Sequence, residues 1–253
     1  MLVVGHPGHE LRVHGWLEAV RPLVMVLTDG SGHSGVPRIS STELVIARAG
    51  ATNGAVFGTL TDAALYRALL DRHSGVFIEI AELMAAAIIN HNIEVVAGDD
   101  AEGFNPTHDV CRWLVDAAVR LARTRRGRPI ANLAFALMEA PGTTSLRPQS
   151  PLSTIVLSDA ALHRKIAAAI GYPEMASEVA AARARFSDEA FRLETFRHVG
   201  DDELWTPGDE RPFYEQHGSR RVMDGVYSEV IQYDPHMRAV IGALAGITSR
   251  QAN

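Results

Sequence analysis

Cysteine is nearly absent from this 253-residue chain, with Cys111 the only one. A lone thiol excludes a disulfide framework within the chain and any multi-cysteine zinc or iron–sulfur site, and it fits a reducing compartment, so a cytoplasmic location is expected. Positive charge is also scarce: 24 Lys and Arg face 30 Asp and Glu, a net charge of -6. That balance gives no electrostatic reason to expect nucleic acid or an acidic membrane surface as partner. Long apolar runs are missing as well. The most apolar stretch, Val76 to Gly98, is interrupted by Glu79, Glu82, His91 and Glu94. It falls short of the roughly 20 uninterrupted apolar residues that span a bilayer, so no membrane insertion is expected. The N-terminus shows neither the basic region nor the apolar core of a secretory signal. What is present is ordinary globular composition, 47% hydrophobic and 21% charged, with enough length to bury a sizeable core. We expect one domain over residues 1–253, with residues from about 205 to 253 as a C-terminal arm or lid. Self-association into a homo-oligomer is left open.

Short apolar runs alternate with segments of helical spacing. Leu2–Val4, Leu23–Leu27, Ile93–Ala97 and Ile130–Met138 read as buried strands, each bounded by Gly, Pro or Asp. Helical spacing is read over Glu10–Val20, Thr42–Ala49, Val76–Asn90 and Ala160–Ile170, and a loop over His33–Ile39. Another helix follows Asn105 and Pro106, which are good N-cap and first-turn residues. Val110, Trp113, Leu114, Ala117, Ala118 and Leu121 recur on one of its faces. Such alternation predicts an α/β fold, a mostly parallel sheet flanked by helices, with a C-terminal helical extension. The basic run Arg123–Arg128 follows the long helix directly and reads as a solvated helix end.

Histidine is plentiful, at 11 residues. In parallel α/β sheets ligands sit at the carboxyl ends of strands. One such end carries His6 and His9 across a Pro-Gly turn, another carries Asp29, and a third carries His108 and Asp109 at a helix start. Three neutral imidazoles would suit one divalent metal, Zn2+ in particular, with a fourth position open. The bland alternative is that a His-x-x-His spacing arose by chance and the loop histidines only make surface hydrogen bonds. Gly5-His6-Pro7-Gly8 lacks the Gly-x-Gly-x-x-Gly pattern, and bulky His6 and His9 would crowd a pyrophosphate, which argues against a dinucleotide site.

The order of three segments resembles the LmbE/PIG-L family of metal-dependent N-deacetylases. They are Val3-Val4-Gly5-His6-Pro7-Gly8-His9-Glu10, then Val26-Leu27-Thr28-Asp29-Gly30, then Asn105-Pro106-Thr107-His108. That family opens with a strand and A-H-P-D-D-E, continues with a strand and T-D-G, and later has H-P-D-H at a helix start. Weaker likeness extends to Ser158-Asp159-Ala160 with Lys165 and Ala167, and to an E-x-F segment near Phe191. The resemblance implies a Rossmann-like fold with catalytic zinc on His6, His9 and His108. It also implies hydrolysis of an amide-type C–N bond by water held on the zinc, and N-deacetylation of an amino sugar or glycoconjugate, a small-molecule or glycan substrate. Here the second metal ligand is His9 where the family has Asp, which makes the site one charge unit more positive and zinc a stronger Lewis acid.

The departures lie among the acid–base residues. The family's general base falls on Gly8, the first His of H-P-D-H on Asn105, and its Asp on Thr107. Three readings stay open. In the first, a hydrolase keeps working with reassigned helpers: Asn105 donates to the oxyanion, and a base comes from Glu10, Asp29, Glu102 or Asp109, with Glu10 and Asp109 preferred because they flank presumed ligands. Glu10 and Asp109 are equally well read as first-turn helix acids, and Asp29 as the carboxylate that orients a ligand imidazole. In the second reading the metal remains and the chemistry on a small metabolite has changed. In the third, the chain is a ligand-binding relative without hydrolysis. Ser31 and Arg38, in the loop after the second strand, are candidate substrate contacts, although a surface role for Arg38 is the simpler reading. The aromatic run from Arg211 to Gly218, with Tyr227 and Tyr233, reads as a lid or packing arm. His217 and His236 are within conceivable reach of the site. His14 and His163 read as helical and without chemistry, and Cys111 as a buried inert thiol.

Overall fold

β-branched and leucine-rich runs become strands, and the segments with one apolar face become the helices that cover them. The computed structural model describes residues 1–32, 35–143, 152–200, 203 and 211–250. His33 and Ser34 of the expected loop, and residues 205–210 and 251–253 of the expected arm, lie outside the described residues. The chain runs β1 (Leu2–Val4), α1 (His14–Val20), β2 (Leu23–Thr28), α2 (Ile39–Ala49), β3 (Thr52–Leu60), α3 (Asp62–Leu70), α4 (Ser74–Asn90) and β4 (Val95–Asp99). It continues through α5 (Pro106–Arg126), β5 (Ala131–Phe135), β6 (Leu152–Val156), α6 (Asp159–Ile170), α7 (Ala176–Arg185), β7 (Leu193–His198), α8 (Phe213–Met223) and α9 (Arg238–Arg250).

The described strands form one sheet in the order β3-β2-β1-β4-β5-β7-β6. β1 to β5 pair in parallel, while β7 is antiparallel to both β5 and β6. From β1 the chain builds outward through β2 and β3, then returns to place β4 on the other side. The strand order therefore reverses between β1 and β4, the position at which open α/β sheets gather ligands beyond their carboxyl ends.

Alternation along the strands divides the core into two layers. Val3, Met25 and Leu27 pack with α3, α4, α5 and α9, whereas Leu2, Val4, Val24 and Val26 pack with α1 and α2. Val240 and Leu244 on α9 are buried in the first layer, so this part of the C-terminal segment belongs to the core. Cys111 is buried there too, as expected.

α5 starts where the sequence predicts. The Asn105 side-chain oxygen accepts from the Thr107 N–H at 2.8 Å, and Pro106 occupies the first turn, where a missing N–H costs nothing. Other boundaries shift. The helix expected over Glu10–Val20 is split into a 3-10 turn at His9–Val13 and α1. The strands expected at Ile93–Ala97 and Ile130–Met138 are Val95–Asp99 and Ala131–Phe135. β3 was not legible: Val56 is its one buried residue, it holds Gly54 and Gly58, and it pairs with β2 through register shifts, so it carries no clean alternation. β6 is likewise exposed along most of its length.

A buried ion pair fastens the antiparallel edge to the first helix. Lys165 Nζ on α6 lies 2.8 Å from Glu194 Oε1 on β7, and the Glu194 carboxylate also accepts the N–H groups of Gly15 and Trp16 at 2.8 and 2.7 Å. The E-x-F pattern of this region is thus met by Glu194-Thr195-Phe196, three residues beyond the segment near Phe191. Glu194→Ala leaves a buried ammonium without its counter-charge, bonded only to the Arg12 carbonyl, and two N–H groups without this acceptor. It is expected to lower the unfolding free energy by about 3–5 kcal/mol in urea titration. A loss below about 1 kcal/mol would show that the pair does not hold this edge.

Candidate functional site

The carboxyl ends of β1, β2 and β4 converge on three imidazoles. His6 follows β1, His9 lies one turn further, and His108 sits in the first turn of α5. Their ring centres are 5.3 Å apart for His6 and His9, 5.4 Å for His6 and His108, and 4.7 Å for His9 and His108. Every pair is edge to face.

Each of the first two rings is oriented through Nδ1. His6 Nδ1 lies 2.8 Å from Thr28 Oγ1 and 3.0 Å from Asp62 Oδ1. Thr28 Oγ1 donates to the Gly5 carbonyl, so it receives the imidazole N–H. His9 Nδ1 lies 2.8 Å from Asp99 Oδ2, which also accepts the Gly5 N–H at 2.7 Å. The Thr28 contact places the His6 proton on Nδ1, and Asp99 when ionised does the same for His9, which leaves Nε2 as the lone-pair nitrogen of each ring. His108 Nδ1 is buried with no hydrogen-bond partner among the described residues.

Burial and mutual repulsion disfavour charge on two of the rings. Burial drives the pKa of His9 well below the usual imidazole value, and repulsion from His6 and Arg38 adds to this. Burial does the same to His108, followed by His9 and His6. For Asp62 burial opposes ionisation, yet the hydrogen bond and charge of His6, with those of Thr28 and Gly32, bring it well below the usual carboxylate value. Asp99 is fully buried and is pushed up to about 7, the Gly5 N–H working against the shift.

Among the described residues no group of three or more His, Cys, Asp or Glu side chains is placed so that it could hold a metal ion as it stands. The spacing of the ring centres, though, is that expected of three imidazoles around one ion. Imidazoles sharing one tetrahedral centre at N–metal distances of about 2.0–2.1 Å have ring centres about 5 Å apart, as these rings do.

The expected carboxylates have other attachments. Glu10 is fully buried; its oxygens accept the Gly8 N–H at 2.8 Å and the Thr42 hydroxyl at 2.9 Å, and Thr42 continues to the Tyr172 hydroxyl at 2.9 Å. Burial pushes Glu10 up to about 7, with hydrogen bonds opposing. Asp29 Oδ1 accepts from the Ser31 N–H and hydroxyl at 2.9 and 2.6 Å, a local turn. Asp109 Oδ1 accepts the N–H groups of Glu102 and Gly103, while its other oxygen is buried without a partner among the described residues. Burial raises Asp109 to about 8. Glu102 accepts from the N–H groups of Leu137 and Met138, and burial raises it to about 7.

The carboxylates that orient imidazoles are thus Asp62 and Asp99, not Asp29. Sequence reasoning passed over both. Asp99 closes β4 in Gly98-Asp99-Asp100, which reads as a strand breaker, and Asp62 follows Thr61 as an ordinary helix-start acid. Arg38 donates through Nε to the Gly30 carbonyl at 2.8 Å and is close enough to depress the His9 pKa. His217 lines a separate aromatic cavity of about 450 Å³ that also holds Asn105, Tyr66 and Phe213. His236 Nδ1 accepts from Gln232 N–H in its own turn. A second cavity, of about 340 Å³, includes Gly8, His9 and His108 in its wall.

Solved structures share this architecture. The A40926 pseudoaglycone deacetylase Dbv21 is 17% identical, with a TM-score of 0.53 over 81% of this chain and 98% of that chain. The zinc-inhibited form of teicoplanin deacetylase Orf2 is 14% identical, with a TM-score of 0.54 over 80% and 98%. A deacetylase–bog complex from the biosynthesis pathway of teicoplanin is 12% identical, with a TM-score of 0.54 over 80% and 98%. At these identities the likeness is one of fold. No protein-family model and no curated protein matches the chain.

Gly8 is held by more than its missing side chain. Its φ is 102°, and a Cβ there would lie 2.0 Å from Met175 Sδ. An aspartate at this position must adopt a backbone conformation that L residues rarely take and must displace Met175. Gly8→Asp is therefore expected to cost about 1–3 kcal/mol in chemical denaturation. Unchanged stability would mean that the turn relaxes freely.

Proposed function

We propose that this chain is a metal-dependent hydrolase of an amide-type C–N bond, with an N-acyl amino sugar or glycoconjugate as substrate class. The observation that carries the reading is the trio of clustered imidazoles at the sheet's switch point, two of them oriented through Nδ1, His6 by Thr28 beside Asp62 and His9 by Asp99. Carboxylate–imidazole pairs of this kind set the tautomer and basicity of metal-ligating histidines. His6, His9 and His108 would hold one divalent ion, zinc by donor type. A bound ion there supplies positive charge to polarise the amide carbonyl and to acidify water. The deacetylase fold shared at low identity supports the same reaction class.

The remaining roles fall to side chains around the trio. Asn105 spends its oxygen on the helix cap and also hydrogen-bonds Tyr66 in the wall of the aromatic cavity, so a role at an oxyanion would require that contact to be exchanged. Of the two preferred carboxyl groups, Glu10 has both oxygens committed to bracing Gly8 and α2, whereas Asp109 keeps one uncommitted. Asp109 is accordingly the better candidate for proton transfer. Arg38, fixed through Nε, retains its terminal nitrogens for a substrate oxygen, beside a Ser31 that Asp29 positions.

A specific observation favours a second reading. Position 8 has no carboxylate, and the Met175 side chain occupies the space a side chain there would need. A metal-binding relative with changed chemistry, or a non-catalytic ligand-binding protein, would tolerate this.

Metal analysis of protein purified without added metal is expected to find one zinc per chain, lost in His108→Ala. Asp99→Asn should weaken zinc binding about 10–100-fold, read by chelator competition. Amine release across a panel of N-acylated amino sugars should fall about 100-fold or more in Asp109→Asn at unchanged zinc content. Absence of zinc supports the ligand-binding reading, and full zinc with a silent panel supports changed chemistry.

A further inference from the structure

The aromatic cavity of about 450 Å³ beside the start of α5 has no part in the reaction proposed above, beyond sharing Asn105 with it. Three rings stand in a column in its wall. Phe104 and Phe213 are parallel to within 1°, with ring centres 4.6 Å apart. His217, one turn further along α8, continues the stack at 5.8 Å and 24°. Tyr66 on α3 and Tyr227 also line the cavity, and a hydrogen bond to the Asn105 side chain holds Tyr66 in place. Phe213 and Tyr227 keep 40% and 39% of their surface exposed, so part of this aromatic wall is open to solvent. Single exposed apolar side chains are ordinary, but rings gathered round one cavity mark a place where something binds.

Charge narrows what that is. No lysine or arginine stands in the wall among the described residues, and Glu229 is its one carboxylate. Glu229 meets Arg67 at 3.5 Å, yet both side chains are more than half exposed, and such a pair contributes little. A phosphate or carboxylate would therefore find π faces and a like charge. A cation finds the reverse, because the face of an aromatic ring carries the negative part of its quadrupole. The chain already uses one of these rings in that way: the Arg221 guanidinium stands 5.8 Å from the centre of the Tyr227 ring.

We propose that this cavity binds a small organic ammonium ion, quaternary or a protonated alkylamine, seated among Tyr66, Phe104, Phe213 and Tyr227 with the Glu229 carboxylate nearby. About 150 Å³ of cavity suffices for a benzene ring. A trimethylammonium head has similar bulk, so it fits within about 450 Å³ with room for a substituent. Strongly hydrated inorganic cations gain less, since they give up more water for the same ring faces. The assignment does not depend on the hydrolase reading, because none of these rings belongs to the imidazole trio.

The test isolates the charge. The full chain is titrated by calorimetry with choline and with 3,3-dimethylbutan-1-ol, which has the same shape and no charge. Choline is expected to bind about tenfold or more tightly than the alcohol, and acetate not at all. Phe213→Leu combined with Tyr227→Leu keeps apolar bulk at two partly exposed positions and removes two ring faces. In that variant the ratio should fall to about one while the alcohol binds much as before. Glu229→Gln should weaken choline about two- to fivefold and leave the alcohol unchanged. Equal affinity for choline and the alcohol, or binding of neither, overturns the proposal. So does a preference for choline that survives in the double variant, since the cation then sits away from these rings.

Discussion

One buried carboxylate oxygen, Asp99 Oδ2, receives both the backbone N–H of Gly5 and the Nδ1 of His9. Through it the carboxyl end of β4 holds the carboxyl end of β1, across the point where the sheet reverses its order. Gly5 permits this because a Cβ there would stand only 3.1 Å from the same oxygen. Asp62, opening α3, lies 3.0 Å from His6 Nδ1 on the other side, where Thr28 takes the N–H of the ring. The two pairs orient the rings that His108 then completes. Removing either carboxylate would free an imidazole to rotate and would leave polar atoms unpaired in a buried site.

The turn between His6 and His9 is equally constrained from beneath. Glu10 folds back onto the Gly8 N–H and reaches Thr42 on α2, and Thr42 continues to the hydroxyl of Tyr172. A carboxyl group that sequence order places beside a ligand is therefore part of the frame. Its oxygens face internal donors, and its elevated pKa follows from burial. Asp109 shares this double character, holding the turn at Glu102 and Gly103 with one oxygen and keeping the other uncommitted. The site thus joins a rigid cluster of imidazoles to an apolar cavity, with Gly8 at their junction.

Much of the architecture was legible beforehand because strong local signals coincide with the global fold. β1 and β2 are short runs bounded by Gly and Asp, and α5 announces itself through Asn105, Pro106 and a regular apolar face. β3, β6 and β7 were not legible. The first is broken by glycines and register shifts, β6 is an exposed edge strand, and β7 fills its buried positions largely with the polar Glu194, Thr195 and Arg197. Their sequences lack the continuous apolar character that parallel, doubly covered strands require.

Residue types and their order determined, without any coordinates, that His6 and His9 share the turn after one strand and that His108 opens a helix beyond another, because side-chain periodicity and turn residues are local properties. Partnership among distant residues is not local. That Asp62 and Asp99 orient the rings, that Glu10 faces inward to Thr42, and that Met175 fills the space over Gly8 depend on segments up to about 170 positions apart meeting at one end of a sheet. Only the packed tertiary structure decides such encounters, since hydrogen bonds and van der Waals contacts act over a few ångströms, whatever the separation along the chain.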